Sequence, residues 1–382
     1  MVTTTMGAAA ERPAAVQPPP LRAFVVTVDT EGDNLWSRPR DITTRNAAFL
    51  PRFQALCEDF GFAPTWLVNH EMACCPVFQR FGQQVLRRGT GEIGMHLHAW
   101  NSPPVVPLTE DDYHHQPYLI EYPEDLMEAK IDHLARLLRS RFDSPVTSHR
   151  AGRWAFDARY ARLLNRHGFE VDCSVTPGVD WRAARGAPQG RGGIDYRGFP
   201  RDPYRMDPQC IDRPGLGGLL QVPVSVVRSR LHRWAPWAYR VPGLRGRAWR
   251  HRPDRQWLYP DGRNLASMRE VVDEARAAGR PVLEMVLHSS ELMPAGSPNG
   301  RDEAAIEALY RDLRVLFAQV AQAGFQGMTL GNLARRWPRD VHAARFREVP
   351  SAADTPAGAG PTARIRAGTI AGPVPARQAG LA

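Results

Sequence analysis

Residues 23–33, Ala-Phe-Val-Val-Thr-Val-Asp-Thr-Glu-Gly-Asp, join an apolar run to three closely spaced carboxylates. The apolar run predicts a buried strand. Asp29, Glu31 and Asp33 stand just beyond it. Successive side chains of a strand point to opposite faces, so Asp29 and Glu31 lie on one face if the backbone stays extended.

A second strand-like run, residues 92–95, leads into His96 and His98. By the same alternation, the two imidazoles share one face. Two imidazoles and a carboxylate with a fourth position left open describe a catalytic divalent-metal site. A further carboxylate beside the metal is a natural general base for a bound water. The two segments together therefore predict a metal-dependent active site.

Strand-like and helix-like segments alternate along most of the chain. The predicted strands are residues 21–28, 64–68, 91–97, 146–149, 171–175, 218–224, 281–287 and 327–330. The predicted helices are residues 46–60, 77–88, 123–142, 157–167, 267–278 and 302–323. This alternation predicts an α/β fold with a parallel sheet, either open or closed into a barrel. Catalytic residues of barrels lie where strands end and loops begin, and both motifs occupy such positions.

We expect one domain over residues 21–340, flanked by disordered segments at residues 1–20 and 351–382 whose composition is poor in large apolar residues. A long Arg/Trp-rich insertion is expected at about residues 180–260. Within it, arginines alternate with aromatic residues, namely Trp234, Trp237, Tyr239, Trp249 and Trp257. Such a block binds anionic sugars, nucleic acid or a membrane surface, or it is a solvated insertion whose tryptophans pack against the main domain.

Composition restricts the class of protein further. The 382 residues carry 49 basic and 40 acidic side chains, a formal charge of +9, and Lys130 is the only lysine. No apolar run approaches the roughly 20 residues of a membrane span, and no leader-like pattern opens the chain. The five cysteines form no CxxC pair, which favours free thiols and a cytoplasmic location.

The candidate motifs follow one another in a specific order at predicted strand ends: the Asp cluster, the His pair, Arg150-x-x-x-Trp154, Asp172-x-Ser174 and Leu287-His288-Ser289. In this order they resemble the polysaccharide deacetylase superfamily, also called the NodB-homology or carbohydrate esterase 4 family. Residues 96–104 and 288–294 look like a subgroup known as WalW-like deacetylases. The resemblance covers about residues 23–333. It implies a distorted (β/α)7 barrel and metal-dependent hydrolysis of an acetyl group from an acetylated sugar.

The resemblance also implies roles for individual residues. Asp29 matches the catalytic base, Arg150 the arginine that pairs with this base, and His288 the general acid. Trp154 matches a wall of the substrate groove, and we expect Trp100 to contact substrate as well.

The implied cofactor is one divalent metal ion, with zinc the expected metal, and the implied ligands are Glu31, His96 and His98. This chain has Thr30 where the family usually has a metal-binding Asp, and Trp100 where it has a second His. Relatives with a D-x-D or D-x-E spacing make Glu31 the carboxylate ligand, with Asp33 as a fallback.

The sequence therefore predicts a hydrolase that deacetylates an N-acetylated saccharide. Two alternatives remain open. One is an enzyme of the same fold that hydrolyses another C–N amide bond, and the other is a catalytically inactive saccharide-binding protein. A nucleic-acid partner is not expected, because the chain contains no recognition module. The sequence does not indicate the oligomeric state.

Overall fold

The computed structural model describes residues 21–230, 254–300 and 302–338, and all structural statements below concern these residues. The strands are β1 Ala23–Thr30, β2 Thr65–Val68, β3 Glu92–Leu97, β4 Ser148–Ala151, β5 Val171–Asp172, β6 Tyr204–Arg205, β7 Leu220–Gln221, β8 Val226–Arg228, β9 Arg255–Trp257, β10 Val282–His288 and β11 Gln326–Gly327.

The described α-helices, numbered in chain order, are α1 Leu50–Asp59, α2 His70–Cys74, α3 Pro76–Arg88, α4 Asp112–His115, α5 Glu124–Phe142, α6 Ala158–Arg166, α7 Leu265–Ala277, α8 Glu303–Gln322 and α9 Leu330–Arg336. Short 3-10 helices occupy Leu35–Ser37, Arg45–Ala48, Leu119–Glu121, Gly152–Trp154 and Ser289–Leu292. None of the described helices is long and apolar enough to cross a bilayer.

One nine-stranded sheet has the order β10-β1-β2-β3-β4-β5-β7-β6, with β11 also paired to β1. All of its ladders are parallel except that between β6 and β7. The two ends of the parallel series approach each other around residues 222–225. Val224 N–H donates to the Val175 carbonyl at 3.0 Å, and Ser225 N–H donates to the Glu284 carbonyl at 3.2 Å. The sheet is therefore curled into the distorted (β/α) barrel that the sequence predicts.

Alternation along the strands divides the core into two layers. On β1, Phe24, Val26 and Val28 face outward and pack in one cluster with the helices. Ala23 and Val25 face inward and pack in a second cluster with Leu333 of α9, which covers the amino-terminal end of the barrel. The barrel interior is thus filled with apolar side chains at this end, and the carboxyl ends of the strands are left for the site.

Several element boundaries differ from the sequence-based expectation. Of the last predicted strand, residues 327–330, only Gly327 belongs to the ladder with β1. Met328 N–H still donates to the Phe24 carbonyl, and Leu330 begins α9 instead. The Thr329 hydroxyl accepts a hydrogen bond from Asn332 N–H and so caps this helix. The predicted strands 171–175 and 218–224 shorten to two residues each. Residues 46–60 begin as a 3-10 turn, and α1 starts only at Leu50.

The expected insertion is described only in part, because residues 231–253, with most of its tryptophans, lie outside the described residues, as do both predicted disordered ends. At its end, β9 pairs with β8 in an antiparallel ladder. Trp257 packs within about 6 Å of Trp154 and Trp181, with ring centroids 6.3 Å and 6.2 Å apart. This one tryptophan therefore contacts the barrel, as the packing interpretation expects.

Candidate metal centre and cleft

The carboxyl ends of β1, β3, β4 and β10 bring the candidate residues together. The parallel register places Asp29 beside His288, and His96 beside Arg150. β2 separates β1 from β3 in the sheet, so the contact between Glu31 and the two histidines depends on the curl of the barrel. The two strands end at Thr30 and Leu97, so Glu31 and His98 each lie one residue beyond a strand, and the side chains of both predicted pairs line the same cleft.

Glu31, His96 and His98 form a buried group whose ligand atoms all lie within 4.8 Å of one another. Glu31 Oε2 is 2.9 Å from His98 Nε2 and 3.5 Å from His96 Nε2. Burial raises the pKa of Glu31, but the adjacent imidazoles of His96 and His98 outweigh burial and hold that pKa below its usual range. Burial also lowers the pKa of His98 to about 4, which keeps its imidazole neutral, as a metal ligand must be.

Two further observations test whether these residues fit a divalent ion. His96 Nδ1 lies 3.1 Å from the Arg150 carbonyl, an acceptor, so Nδ1 carries the proton and Nε2 is free to bind metal. His98 Nδ1 is buried without a hydrogen-bond partner. One carboxylate and two imidazoles with an open position match the donor set of a catalytic zinc site. The group fits such an ion.

Asp33, the fallback ligand, and Thr30, which stands where the family usually has a metal-binding Asp, have other roles. The Thr30 hydroxyl donates to the Val28 carbonyl at 2.9 Å. Asp33 accepts hydrogen bonds from Thr43, Arg45 and Asn46, and these bonds hold the loop after β1. Neither residue belongs to the group, so the geometry favours Glu31 as the carboxylate ligand.

Asp29 is held by a buried arginine in the barrel interior. Arg150 Nη1 donates to Asp29 Oδ1 at 2.6 Å, and Arg150 Nη2 donates to Glu284 Oε1 at 2.5 Å and to the Thr27 hydroxyl at 2.8 Å. Burial raises the pKa of Asp29, yet the Arg150 guanidinium above all, together with the neighbouring His96 and His288, outweighs burial, so the pKa lies below its ordinary value. Burial raises the pKa of Glu284, and Arg150 offsets this only in part. Asp29 is therefore ionised at neutral pH.

His288, the last residue of β10, is held by a second carboxylate. Its Nδ1 lies 3.3 Å from Glu291 Oε2, and its Nε2 lies 3.8 Å from Asp29 Oδ2. The Tyr259 hydroxyl donates to Glu291 Oε1. Burial lowers the pKa of His288, but the neighbouring carboxylates of Glu291, Glu31 and Asp29 raise it by a larger amount. The resulting pKa is about 9. His288 is thus a protonated imidazolium at neutral pH.

A cleft of about 430 Å³ opens over these groups. The remaining side chains that line it are largely apolar or aromatic, namely Leu35, Trp36, Trp100, Gln116, Ala151, Arg153 and Trp154. Trp36 meets His288 edge-on with ring centroids 4.9 Å apart, and Trp100 lies 4.3 Å from His98. Both tryptophans expected to contact substrate, Trp100 and Trp154, line this cleft.

Asp172 and Ser174, the remaining motif residues, do not line the cleft. Asp172 accepts from the Ser174 hydroxyl and lies 2.7 Å from His149 Nδ1, on the outer side of the sheet. The sequence-based reasoning missed two residues of this region: Trp36, which lines the cleft, and Glu284, which lies in the barrel interior against Arg150. A lone carboxylate inside the apolar run of β10 was a usable signal for Glu284, whereas nothing in the sequence places Trp36.

Comparison with known proteins finds no matching family model and no matching curated protein. Solved structures do match. A protein described as a glycoside hydrolase/deacetylase from Parabacteroides distasonis is 11% identical with a TM-score of 0.55, over 83% of this chain and 71% of that chain. A protein described as a polysaccharide deacetylase from Mycobacterium smegmatis is 17% identical with a TM-score of 0.48, over 85% and 93%.

A CE4 family pseudoenzyme from Bacillus anthracis also matches, at 8% identity and a TM-score of 0.40, over 83% of this chain and 66% of that chain. At such identities, structural similarity shows a shared fold and no more. The fold is that of the Parabacteroides protein, and the function has to be argued from the site.

Proposed function

We propose that this protein is a metal-dependent deacetylase of the polysaccharide deacetylase superfamily, within its WalW-like subgroup, and that it acts on an N-acetylated saccharide. One cleft brings together three potential ligands, a carboxylate held by an arginine, and a histidine held by a carboxylate. This arrangement carries the proposal, because amide hydrolysis needs an electrophilic centre, a base and an acid within reach of one bond.

Glu31, His96 and His98 would hold the ion, and zinc suits two imidazoles with one carboxylate. When bound, a divalent ion supplies Lewis-acid chemistry, polarising a carbonyl oxygen and lowering the pKa of water. The buried position of the group supports this assignment, because the three side chains are already held at ligand spacing by the strands.

Asp29 is the proposed general base. Arg150 occupies its Oδ1, so Oδ2 remains to accept a proton from the attacking water. The arginine also keeps the carboxylate ionised despite its burial. Arg150 would therefore both orient the base and lower its pKa.

His288 is the proposed general acid. An amine leaves poorly unless it is protonated, and the imidazolium of His288 holds a proton at neutral pH. Glu291 bonds to Nδ1 and so directs Nε2 toward the cleft. The aromatic walls formed by Trp36, Trp100 and Trp154 suit a sugar ring, whose C–H faces pack against aromatic rings.

The test combines metal analysis with acetate release. The purified chain should contain about one equivalent of metal, which His96→Ala and His98→Ala should reduce, while His114→Ala, a change at an exposed histidine outside the cleft, should leave it unchanged. A panel of N-acetylated saccharides should release acetate, a chelator should stop the release, and added zinc should restore it.

Other outcomes would point to the alternatives. Turnover of small amides without turnover of acetylated sugars would identify a hydrolase of another C–N bond. Saccharide binding without metal or turnover would identify an inactive binding protein. Unchanged metal content in both histidine variants would remove this ligand set.

A further inference from the structure

Glu71 on α2 connects the two loops that carry the candidate ligands. Its Oε1 accepts from the Gly32 N–H at 3.1 Å and from Asn69 Nδ2 at 2.5 Å. Its Oε2 accepts from Asn101 Nδ2 at 3.0 Å. Gly32 directly follows Glu31, and Asn101 lies three residues after His98. One carboxylate thus bonds to both sides of the group.

The sheet order explains why this position can do so. β2 lies between β1 and β3, and α2 follows β2 directly. The side chain that α2 presents at the carboxyl edge therefore falls between the loop after β1 and the loop after β3. The Asn69 side chain caps α2 by accepting from Met72 N–H, which fixes the first turn and the direction of Glu71.

The Glu71 carboxylate lies close to the loop after β1 at Gly32. A Cβ at position 32 would lie 2.2 Å from Ile42 Cγ2 and 3.1 Å from Glu71 Oε1. Only glycine fits between these neighbours, and its N–H points at the carboxylate. The hydrogen bond between Glu71 and the backbone next to Glu31 therefore depends on the glycine at position 32.

We propose that Glu71 is a positioning residue that sets the spacing between Glu31 and His98 and thereby the metal affinity of the group. The inference rests on the proposed metal site. Glu71 does not belong to the ligand group; it acts through the backbone next to Glu31 and through the Asn101 side chain. Removing a group that orients a metal ligand lowers metal affinity by about 10- to 100-fold.

Glu92 provides a matched control at the opposite end of the same sheet. It is also a half-buried carboxylate that joins separate elements, because it accepts from Gly331 N–H at 2.9 Å and from the Ser148 hydroxyl. Removing either carboxylate leaves donors without acceptors, which costs stability. Only Glu71 lies beside the ligand loops, so only its loss should change metal binding.

The experiment measures zinc affinity of the full chain by competition with a chelating dye, together with the melting temperature. We expect Glu71→Ala to weaken zinc binding about tenfold or more. Glu71→Gln should weaken it by less than about threefold, because glutamine keeps one acceptor for Gly32 N–H and its NH2 can donate to Asn101 Oδ1 once the Asn101 amide turns over from the orientation in which Nδ2 donates to Glu71. Glu92→Ala should lower the melting temperature and leave zinc affinity within about twofold.

Should Glu71→Ala fail to fold, Asn101→Ala removes one contact of the bridge, and we expect it to weaken zinc binding about fivefold. The proposal is wrong if zinc affinity is unchanged in the folded Glu71 or Asn101 variants, or if Glu92→Ala weakens it equally. A wild-type chain that binds no zinc would overturn the metal site itself, and the positioning role with it. Wild-type binding with unaffected variants would overturn the positioning role alone.

Discussion

The two ends of the barrel interior differ in what they bury. At the amino-terminal end, Ala23, Val25 and Val282 pack with α9 in a wholly apolar cluster. At the carboxyl end, the same strands bury Asp29 and His288 among other ionisable groups. Along β1 the inward-facing residues are apolar at Ala23 and Val25, polar at Thr27 and charged at Asp29.

Burying a charge is costly unless it is paired, and the carboxyl end meets that cost with specific partners. Arg150 lies between Asp29 and Glu284, and Glu291 holds His288. Such groups contribute little net stability but fix geometry and ionisation. The comparison therefore teaches that one end of the strands buries the apolar core while the other holds the residues of the proposed active site. Changes at the apolar end should affect stability, and changes at the carboxyl end should affect turnover.

The largest expected effect is that of Asp29→Asn. Asparagine can still accept a hydrogen bond from Arg150, but its amide cannot take a proton from water. We expect turnover of an N-acetylated sugar to fall about 10³-fold while the metal content stays the same. Steady-state kinetics and elemental analysis on one preparation test this.

Asp172→Asn is the matched control for this change, because Asp172 is an equally buried carboxylate outside the cleft. It should lower the melting temperature and change turnover by less than about tenfold. Loss of metal from Asp29→Asn would instead make Asp29 a ligand and remove its role as the base.

The next effect is that of His288→Ala, which should depend on the leaving group. An amine needs the proton that His288, the proposed general acid, would donate, whereas an aryl oxide leaves without one. We expect a loss of about 10²-fold on an N-acetylated sugar and of less than about tenfold on an aryl acetate. Equal losses on both substrates would leave His288 as a packing or positioning residue, and a fall in melting temperature would favour packing.

The pH profile gives a smaller effect with a defined direction. The pKa of His288 is raised to about 9, so the imidazolium persists through neutral pH and is lost as the pH rises through that value. Amide turnover should therefore fall above about pH 9, by about tenfold per unit. The residual activity of His288→Gln should lack this alkaline fall. If His288→Gln shows the same loss of turnover at alkaline pH, a group other than His288 causes that loss.

The sequence predicted the strand ends that form the site because local patterns determine them. Alternation placed Asp29 with Glu31 and His96 with His98, and all four side chains line one cleft, although the second residue of each pair lies just beyond its strand. Short apolar runs likewise located β2 and β10. The repeated alternation predicted an α/β fold with a parallel sheet, and the family resemblance implied that this sheet forms a distorted barrel.

The remaining features depend on contacts between distant parts of the chain. Glu284 contacts Arg150 only because the curled sheet brings β10 near β4, and Trp36 reaches His288 through the loop that Asp33 holds. Leu330 follows a strand-like run but starts a helix, since its turn is capped by Thr329 and packs under the barrel. Tertiary packing decides each of these positions.

The smallest expected effect on turnover tests the apolar end. Leu333 on α9 is fully buried in the amino-terminal cluster. Leu333→Ala leaves a cavity there and should cost about 2–5 kcal/mol of unfolding free energy. Leu216→Ala, at a side chain that is 84% exposed, should change the free energy of unfolding by less than about 0.5 kcal/mol. Chemical denaturation measures both values.

Well below its melting temperature, Leu333→Ala should keep kcat within about twofold of the wild type, because no group that touches substrate has moved. The cavity lies at the end of the strands remote from Asp29 and His288, and the polar layer around Arg150 separates the two regions. A loss of turnover comparable to that of Asp29→Asn would mean that packing under the barrel sets the geometry of the site. The two ends would then act as one cooperative unit.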